Sequence, residues 1–328
     1  MISQHYLIIG GIIMAKNKIQ FQAGLSLKDF LAQFGTEDQC RQVLFELRWP
    51  QGFVCPECGH TGYCELKSRK LFQCNSCRSQ ISVTAGTIFA STKLPLATWF
   101  MGIYFITQSK VSVSALSLSK TLSILYNTAL LMKHKIQQVM KERDDSKPLT
   151  HFVQIDDAYW GGKKRDGKRG RGAIGKIPFV AAISSNKQGH PDQMRFTQVK
   201  SFSKKAIESW AKEHLAPGSQ VISDGLGCFS AIEDAGSAHT TIITGGGPNS
   251  VKISEFKWVN TIIGNVKKCL HGIFHAISKK HFSRYLAEFC YRFNRRYDLS
   301  QMISRLCYVA LRTPPMSKQL LRVAEFHT

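Results

Sequence analysis

The chain has 328 residues, 43% of them hydrophobic, which is enough for two or three domains with at least one substantial core. Lysine and arginine number 44 against 22 acidic residues, a formal net charge of +22. That surplus points to a polyanionic partner, nucleic acid first, because each neutralised phosphate releases condensed counterions.

The apolar opening, Tyr6 to Met14, is too short to span a bilayer. It also lacks the basic start and small-residue cleavage site of a signal peptide. Met14 reads as the natural start, residues 1–13 as upstream read-through, and 1–24 as a disordered or mis-annotated extension; a genuine N-terminal extension is the alternative. Ser26 before apolar residues at helical spacing predicts a capped helix over Leu25 to Leu31. A second is predicted from Thr36 to Arg48, with Thr36 and Gln39 as a capping box, broken by Pro50-Gln51-Gly52-Phe53.

Cys55-Pro56-Glu57-Cys58 and Cys74-Asn75-Ser76-Cys77 are two knuckles. Thiolates two residues apart reach one ion, and two such pairs across a short hairpin make the four-sulfur zinc-ribbon pattern. One Zn2+ per chain is expected on Cys55, Cys58, Cys74 and Cys77, in a cytosolic rather than a secreted setting. A redox pair would need only one CxxC. His60 and Cys64 could substitute as ligands but read as ribbon side chains. The ribbon could grip DNA, bind a partner, or stabilise a domain too small to build its own core. Together these elements make a unit over residues 25–90.

Residues 91–147 read as helical. Three short helices, Trp99 to Gln108, Val113 to Leu118 and Leu125 to Lys135, fit a helix-turn-helix-like segment; the last carries Lys133, His134 and Lys135 and is placed as the helix in the major groove. The alternative is a helical linker packed on the ribbon. Asp144 to Pro148 reads as a linker between domains. Strands are then predicted at Phe152 to Trp160, Phe179 to Ser184, Met194 to Val199 and Val221 to Ser223. Helices follow at Lys204 to His214, from Ile253 onward, and over His281 to Tyr297. This makes residues 148–310 an α/β domain, with 311–328 a C-terminal tail.

Asp156 and Asp157 share one predicted strand, where alternation sends them to opposite faces, so that only one points straight into a given site. Asp224 closes a buried strand, where α/β sheets put ligand-binding groups. Either could equally be a turn residue. The run Lys163-Lys164-Arg165-Asp166-Gly167-Lys168-Arg169-Gly170-Arg171 follows the first acidic strand and reads as a hairpin tip tracking a phosphate backbone. Arg292, Arg295 and Arg296 could do the same, or could form internal salt bridges.

Together Ile155-Asp156-Asp157-Ala158-Tyr159-Trp160-Gly161-Gly162, Ser223-Asp224-Gly225, Gly272-Ile273-Phe274-His275 and the Tyr285 to Arg296 helix resemble one family. It is the bacterial insertion-sequence transposases with an N-terminal zinc ribbon and a DDE domain of ribonuclease H-like fold, and the resemblance covers about residues 25 to 310. It implies two Mg2+ or Mn2+ ions held by three residues, acting on a phosphodiester by in-line displacement. The first ligand maps to Asp156 and the second to Asp224, with Asp157 in a supporting role. The usual third Glu is replaced: counting back from Gly272 gives Asn260, with the basic residue at Lys267. This resembles a variant subgroup with Asn as third ligand; Glu255 and Asn265 are the rivals. The implied protein cuts and joins DNA at its element's ends as a homo-oligomer on double-stranded DNA, in the bacterial cytoplasm at the nucleoid. The alternatives are a non-catalytic zinc-ribbon DNA binder derived from a transposase, and a nuclease or resolvase of the same fold.

Overall fold

The computed structural model describes residues 8–9, 12–13, 24–109, 111–161, 175–243, 253–274 and 277–323. Two short antiparallel strands, β1 (Ile8–Ile9) and β2 (Ile12–Ile13), precede the first helix. The Ser26 hydroxyl accepts from the Asp29 amide and opens α1 (Leu27–Phe34). Thr36 and Gln39 form the expected reciprocal box at the start of α2 (Glu37–Arg48). The cysteine ribbon is an antiparallel sheet of β3 (Tyr63–Leu66), β4 (Leu71–Cys74) and β5 (Gln80–Ile81). It shares aromatic packing with α2: the Phe45 ring lies 4.9 Å from Phe72 and 5.1 Å from Trp49.

Three helices follow, α3 (Leu96–Gln108), α4 (Ala115–Thr121) and α5 (Tyr126–Asp145). The large domain begins with β6 (Phe152–Trp160), β7 (Ile177–Ser185) and β8 (Pro191–Gln198), an antiparallel meander. Then come α6 (Lys204–His214), β9 (Gln220–Ser223), α7 (Ala231–Asp234) and β10 (Ala238–Thr241). The strand order is β10-β9-β6-β7-β8, with β9 parallel to β6 and β10 parallel to β9. The chain closes with α8 (Lys257–Ile273), α9 (Phe282–Asn294), α10 (Met302–Ala310) and α11 (Lys318–Val323). This mixed sheet flanked by helices is the ribonuclease H-like fold.

Sequence explains the layering. In β7, Phe179 to Ser185 are all buried, as suits a strand covered on both faces. β8 lies at the edge, and its Pro191 stands at the first residue, where a missing amide costs the ladder nothing. Beneath one face, Val153, Ile155, Val180 and Ala182 pack on Ile207 and Trp210 of α6. On the other, Ala158, Trp160, Phe179 and Ala181 meet Val259, Ile262 and Val266 of α8 and Phe282 and Leu286 of α9. A third core joins α1 to α5, the ribbon and α10, and takes in Tyr291 of α9.

The segment expected to be a linker is not one. α5 runs to Asp145, and its last turn is tied down: Arg295 pairs with the Asp144 carboxylate at 2.6 Å, and Arg195 pairs with Asp145 at 3.2 Å. The start of the run read as a linker is thus an ion-paired helix end. Among the described residues, no helix is long and apolar enough to cross a membrane.

Candidate metal centres and nucleic-acid interface

The two knuckles have the same backbone geometry. Cys55 N–H donates to His60 and Gly59 N–H back to Cys55; Cys74 N–H donates to Ser79 and Arg78 N–H back to Cys74. The fifth residue of each turn is left-handed, Gly59 at φ 73° and Arg78 at φ 63°. This brings all four Sγ atoms within 4.8 Å of one another, with Cys55–Cys77 and Cys58–Cys74 both at 3.6 Å. Tetrahedral Zn–S bonds of about 2.3 Å put sulfurs about 3.8 Å apart, so the spacing fits zinc. The clustered thiols hold their protons unequally. Burial pushes the Cys74 thiol up, but hydrogen bonds from the Cys77 and Ser76 amides bring it down to about 6. Against a hydrogen bond from the Ser79 amide, the neighbouring sulfurs push Cys77 up to about 12, the mutual repulsion of sulfurs that a cation would relieve. His60 and Cys64 stand outside this four-sulfur group.

The second acidic constellation arises from strand pairing. In the parallel β6–β9 ladder, Gln154 opposes Ile222, so two residues further on Asp156 comes level with Asp224. β9 stops at Ser223, and Gly225 turns the chain away at φ 88°. The Asp224 carboxylate accepts the Leu226 amide at 3.2 Å, which orients it at the strand end. Asp156, Asp157 and Asp224 each bring a carboxylate oxygen within 4.8 Å of the others, all half-buried. This corrects the expectation that only one of the strand pair could serve the site. Alternation does hold along β6, but β9 ends here, so no strand separates the two faces beside Asp224.

α8 lies over the Asp156 face. Gln154, on the same face as Asp156, accepts the Val259 amide at 3.1 Å and so satisfies one open donor of the first turn of α8. Eight residues on, Lys267 is half-buried with its ammonium 5.9 Å from the Phe179 ring. Burial lowers its pKa; Asp156 and, more weakly, Asp157 pull it back up, while Lys176 adds to the lowering. Asn260 is half-buried, whereas Glu255 and Asn265 are exposed. Gln154 was missed as a positioning residue; the signal was a polar side chain amid the buried residues of β6.

The helix-turn-helix expectation needs correction at its basic residues. Lys133 is 0% exposed and pairs with Glu288 of α9 at 2.5 Å. His134 is buried with its ring 4.4 Å from that of His281, and Lys135 is half-buried and donates to the Ile88 carbonyl. Lys133 lies on the inward stripe of α5 that runs through Ala129, Met132, Ile136 and Met140, while His134 and Lys135 fall on its two flanks, each covered by other parts of the chain. The exposed residues are at the turn instead: Leu125 is 79% exposed, and Tyr126 and Asn127 follow it. Lys163, Lys164, Arg165, Lys168, Arg169, Arg171 and His275 lie outside the described residues. Arg292 is buried beside Glu288, and Arg295 and Arg296 make internal bonds.

Two family models match the chain. Residues 148–294 match the family described as the ISXO2-like transposase domain, and residues 35–80 match the transposase zinc-ribbon domain. With both domains in this order over more than half of its length, the chain belongs to the insertion-sequence transposases with an N-terminal zinc ribbon. It is 27% identical over 176 residues to a protein in the transposable element ISH50 of Halobacterium salinarum, a match covering 48% of this chain and 58% of that protein. Two solved structures also align. One is the Mos1 strand transfer complex, at 8% identity over 63% of this chain and 76% of that chain, with a TM-score of 0.21. The other is the Mos1 mariner paired end complex with Mn, at 10% identity over 63% and 77%, with a TM-score of 0.20.

Proposed function

We propose that this protein binds the ends of its own insertion sequence and catalyses metal-dependent 3′-end cleavage and strand transfer, in the cytoplasm at the nucleoid. The observation that carries the reading is the convergence of Asp156, Asp157 and Asp224 within 4.8 Å at the end of β9. Three carboxylates that close repel one another unless a cation sits among them, so the group suits divalent ions. Bound there, two Mg2+ or Mn2+ ions would activate water or a 3′ hydroxyl and ease departure of the leaving oxygen.

The chain's own residues do the rest. Asp156 and Asp224 hold the shared position between strands. Asn260 offers α8 only a neutral acceptor, and Asp157 supplies the carboxylate that the helix lacks. Lys267, brought over the site by α8, contacts a phosphate next to the scissile bond. Gln154 keeps α8 in register with Asp156. The four-cysteine ribbon holds one structural Zn2+, and two copies act on paired ends, since the task is symmetric.

The test uses purified protein, labelled element ends and magnesium or manganese, read as 3′-end cleavage and joining. Asp156→Ala and Asp224→Ala should each abolish both steps while retaining end binding. Asp157→Asn should cost at least tenfold in rate, and Asn260→Ala should impair catalysis far more than binding. Joining at the wild-type rate by Asp156→Ala or Asp224→Ala would sink the assignment. Loss of activity in Glu255→Ala but not in Asn260→Ala would move the α8 ligand.

A further inference from the structure

Where the two halves of the molecule meet, a cleft of about 490 Å³ opens between the end of α5, β8, the end of α9 and α10. Five cationic side chains line it, Arg143, Lys147, Arg195, Arg295 and Arg305, against a single carboxylate, Asp144. That carboxylate is already engaged by Arg295 at 2.6 Å and by Asn294 at 3.2 Å. Arg195 is held by Asp145 and by the Asp144 and Lys147 carbonyls, and Arg305 pairs with Asp298. Arg143 and Lys147 are exposed and have no carboxylate partner among the described residues. Even counting Asp145 and Asp298, the cations outnumber the anions.

The floor is also incomplete. Tyr291 is 0% exposed and lines the cleft, yet its hydroxyl has no hydrogen-bond partner, and neither does Nε of the buried Arg195. A buried donor left unpaired costs about 1–3 kcal/mol, so both are places for an acceptor. On the rim, the Arg312 guanidinium lies over the Tyr308 ring at 3.5 Å and adds a further cation beside the cleft. Burial, then the Arg143 and Arg295 guanidiniums, push the Lys147 ammonium below its ordinary value against a weaker pull from Asp144, so these cations crowd one another.

We propose that this cleft is a seat for a phosphate group, a backbone phosphate of DNA, separate from the carboxylate trio. Guanidinium forks match phosphate oxygens bidentately, Arg143 and Lys147 are the free donors, and the Tyr291 hydroxyl is the donor at the floor. An occupant would touch α5 and α10 on one side and β8 and α9 on the other, and so clamp the two halves together. The inference rests on the DNA-binding reading above.

The experiment measures binding of the full-length protein to a fluorescein-labelled duplex by anisotropy across a salt series. Arg143→Gln/Lys147→Gln should raise Kd about tenfold and reduce the magnitude of the log Kd–log salt slope by about one per phosphate lost. The control, Lys204→Gln/Lys205→Gln on the exposed start of α6, removes the same charge elsewhere and should change Kd less than threefold. Tyr291→Phe should weaken binding severalfold with its slope unchanged. Equal losses in cleft and control variants, or none in the cleft variant, would overturn the seat. A calorimetric titration with inorganic phosphate separates the sources. Phosphate binding that needs Arg143 and Lys147, beside duplex binding that ignores them, would make the occupant a small anion and overturn the DNA assignment. Wild-type protein that bound no duplex would remove the reading beneath; wild-type binding with indifferent variants would remove the cleft alone.

Discussion

Lys133 and Glu288 make a wholly buried ion pair between α5 and α9, joined by Gln137 at 2.7 Å and Ser112 at 3.0 Å. Burial pushes the Glu288 carboxyl up, but Lys133 and Arg292 more than offset it and hold it below its ordinary value. Removing one partner strands a charge and costs about 3–5 kcal/mol, whereas replacing both with apolar residues is often close to neutral. Glu288→Leu should therefore drop the urea midpoint sharply, and Lys133→Met/Glu288→Leu should restore only part of it, because the buried Arg292 keeps its charge without the Glu288 carboxylate. A Lys133→Met protein of normal stability but weakened DNA binding would return Lys133 to the DNA surface. The misplacement has a plain cause: a lysine beside a histidine and another lysine looks solvated, and nothing local reveals a carboxylate 155 residues away. Asp156 and Asp224 were legible as strand residues in a familiar motif. That Asp157 joins them depends on where β9 stops, which is a matter of pairing rather than of pattern.

α4 and α5 are joined by a short turn, as the proposed helix-turn-helix requires, but the residues they expose at that turn are not the basic ones expected. Ser114 caps α4, a short turn follows, and α5 starts with Tyr126 and Asn127 in solvent. Base edges are met by the first residues of such a helix. Asn127→Ala should therefore cost roughly 1–3 kcal/mol on the element end and almost nothing on random duplex, measured by competition binding. Equal loss on both would make Asn127 a backbone contact. Other elements were legible to differing degrees. β6 and α6 occupy the predicted spans because their patterns are strong and their ends marked. β8 begins three residues before the predicted Met194, since polar Asp192 and Gln193 hide an edge strand. β10, Ala-His-Thr-Thr, has no apolar alternation and was not anticipated. α10 packs with α2, α3 and α5 rather than on the sheet, a long-range choice that local sequence does not encode.

Across the whole molecule, α9 is the shared member. Its Phe282, Leu286 and Phe289 belong to the sheet's core and its Tyr291 to the N-terminal one. Three histidines near these junctions are kept neutral. Burial first, then neighbouring cations, lowers His134 and His214 to about 3 and His281 to about 4. An unfolded histidine titrates near 6.5, so between there and the folded value the unfolded chain binds more protons. Stability from these groups is complete above about pH 6.5 and is lost as pH falls toward 3. For the well-buried His134 and His214 the loss by pH 5 is about 2 kcal/mol each. Urea midpoints should fall from pH 7 to pH 5, and His214→Phe should flatten that fall; an equal fall in the variant would exonerate His214.

α5 joins the exposed Tyr126 and Asn127 at one end to the cleft at the other. Its 20 residues span about 30 Å at a rise of about 1.5 Å each, close to nine base steps of about 3.4 Å. With the two proposed DNA contacts at its ends, such a rod would act as a ruler. Exchanging Tyr126 or Asn127 would disturb no packing, since those side chains face water. The length of α5 is far harder to change. One inserted residue would turn the far end by about 100° and pull Lys133 out of register with Glu288. If both contacts are made, the sequence an element presents to this protein could drift while the distance over which it is gripped stayed fixed.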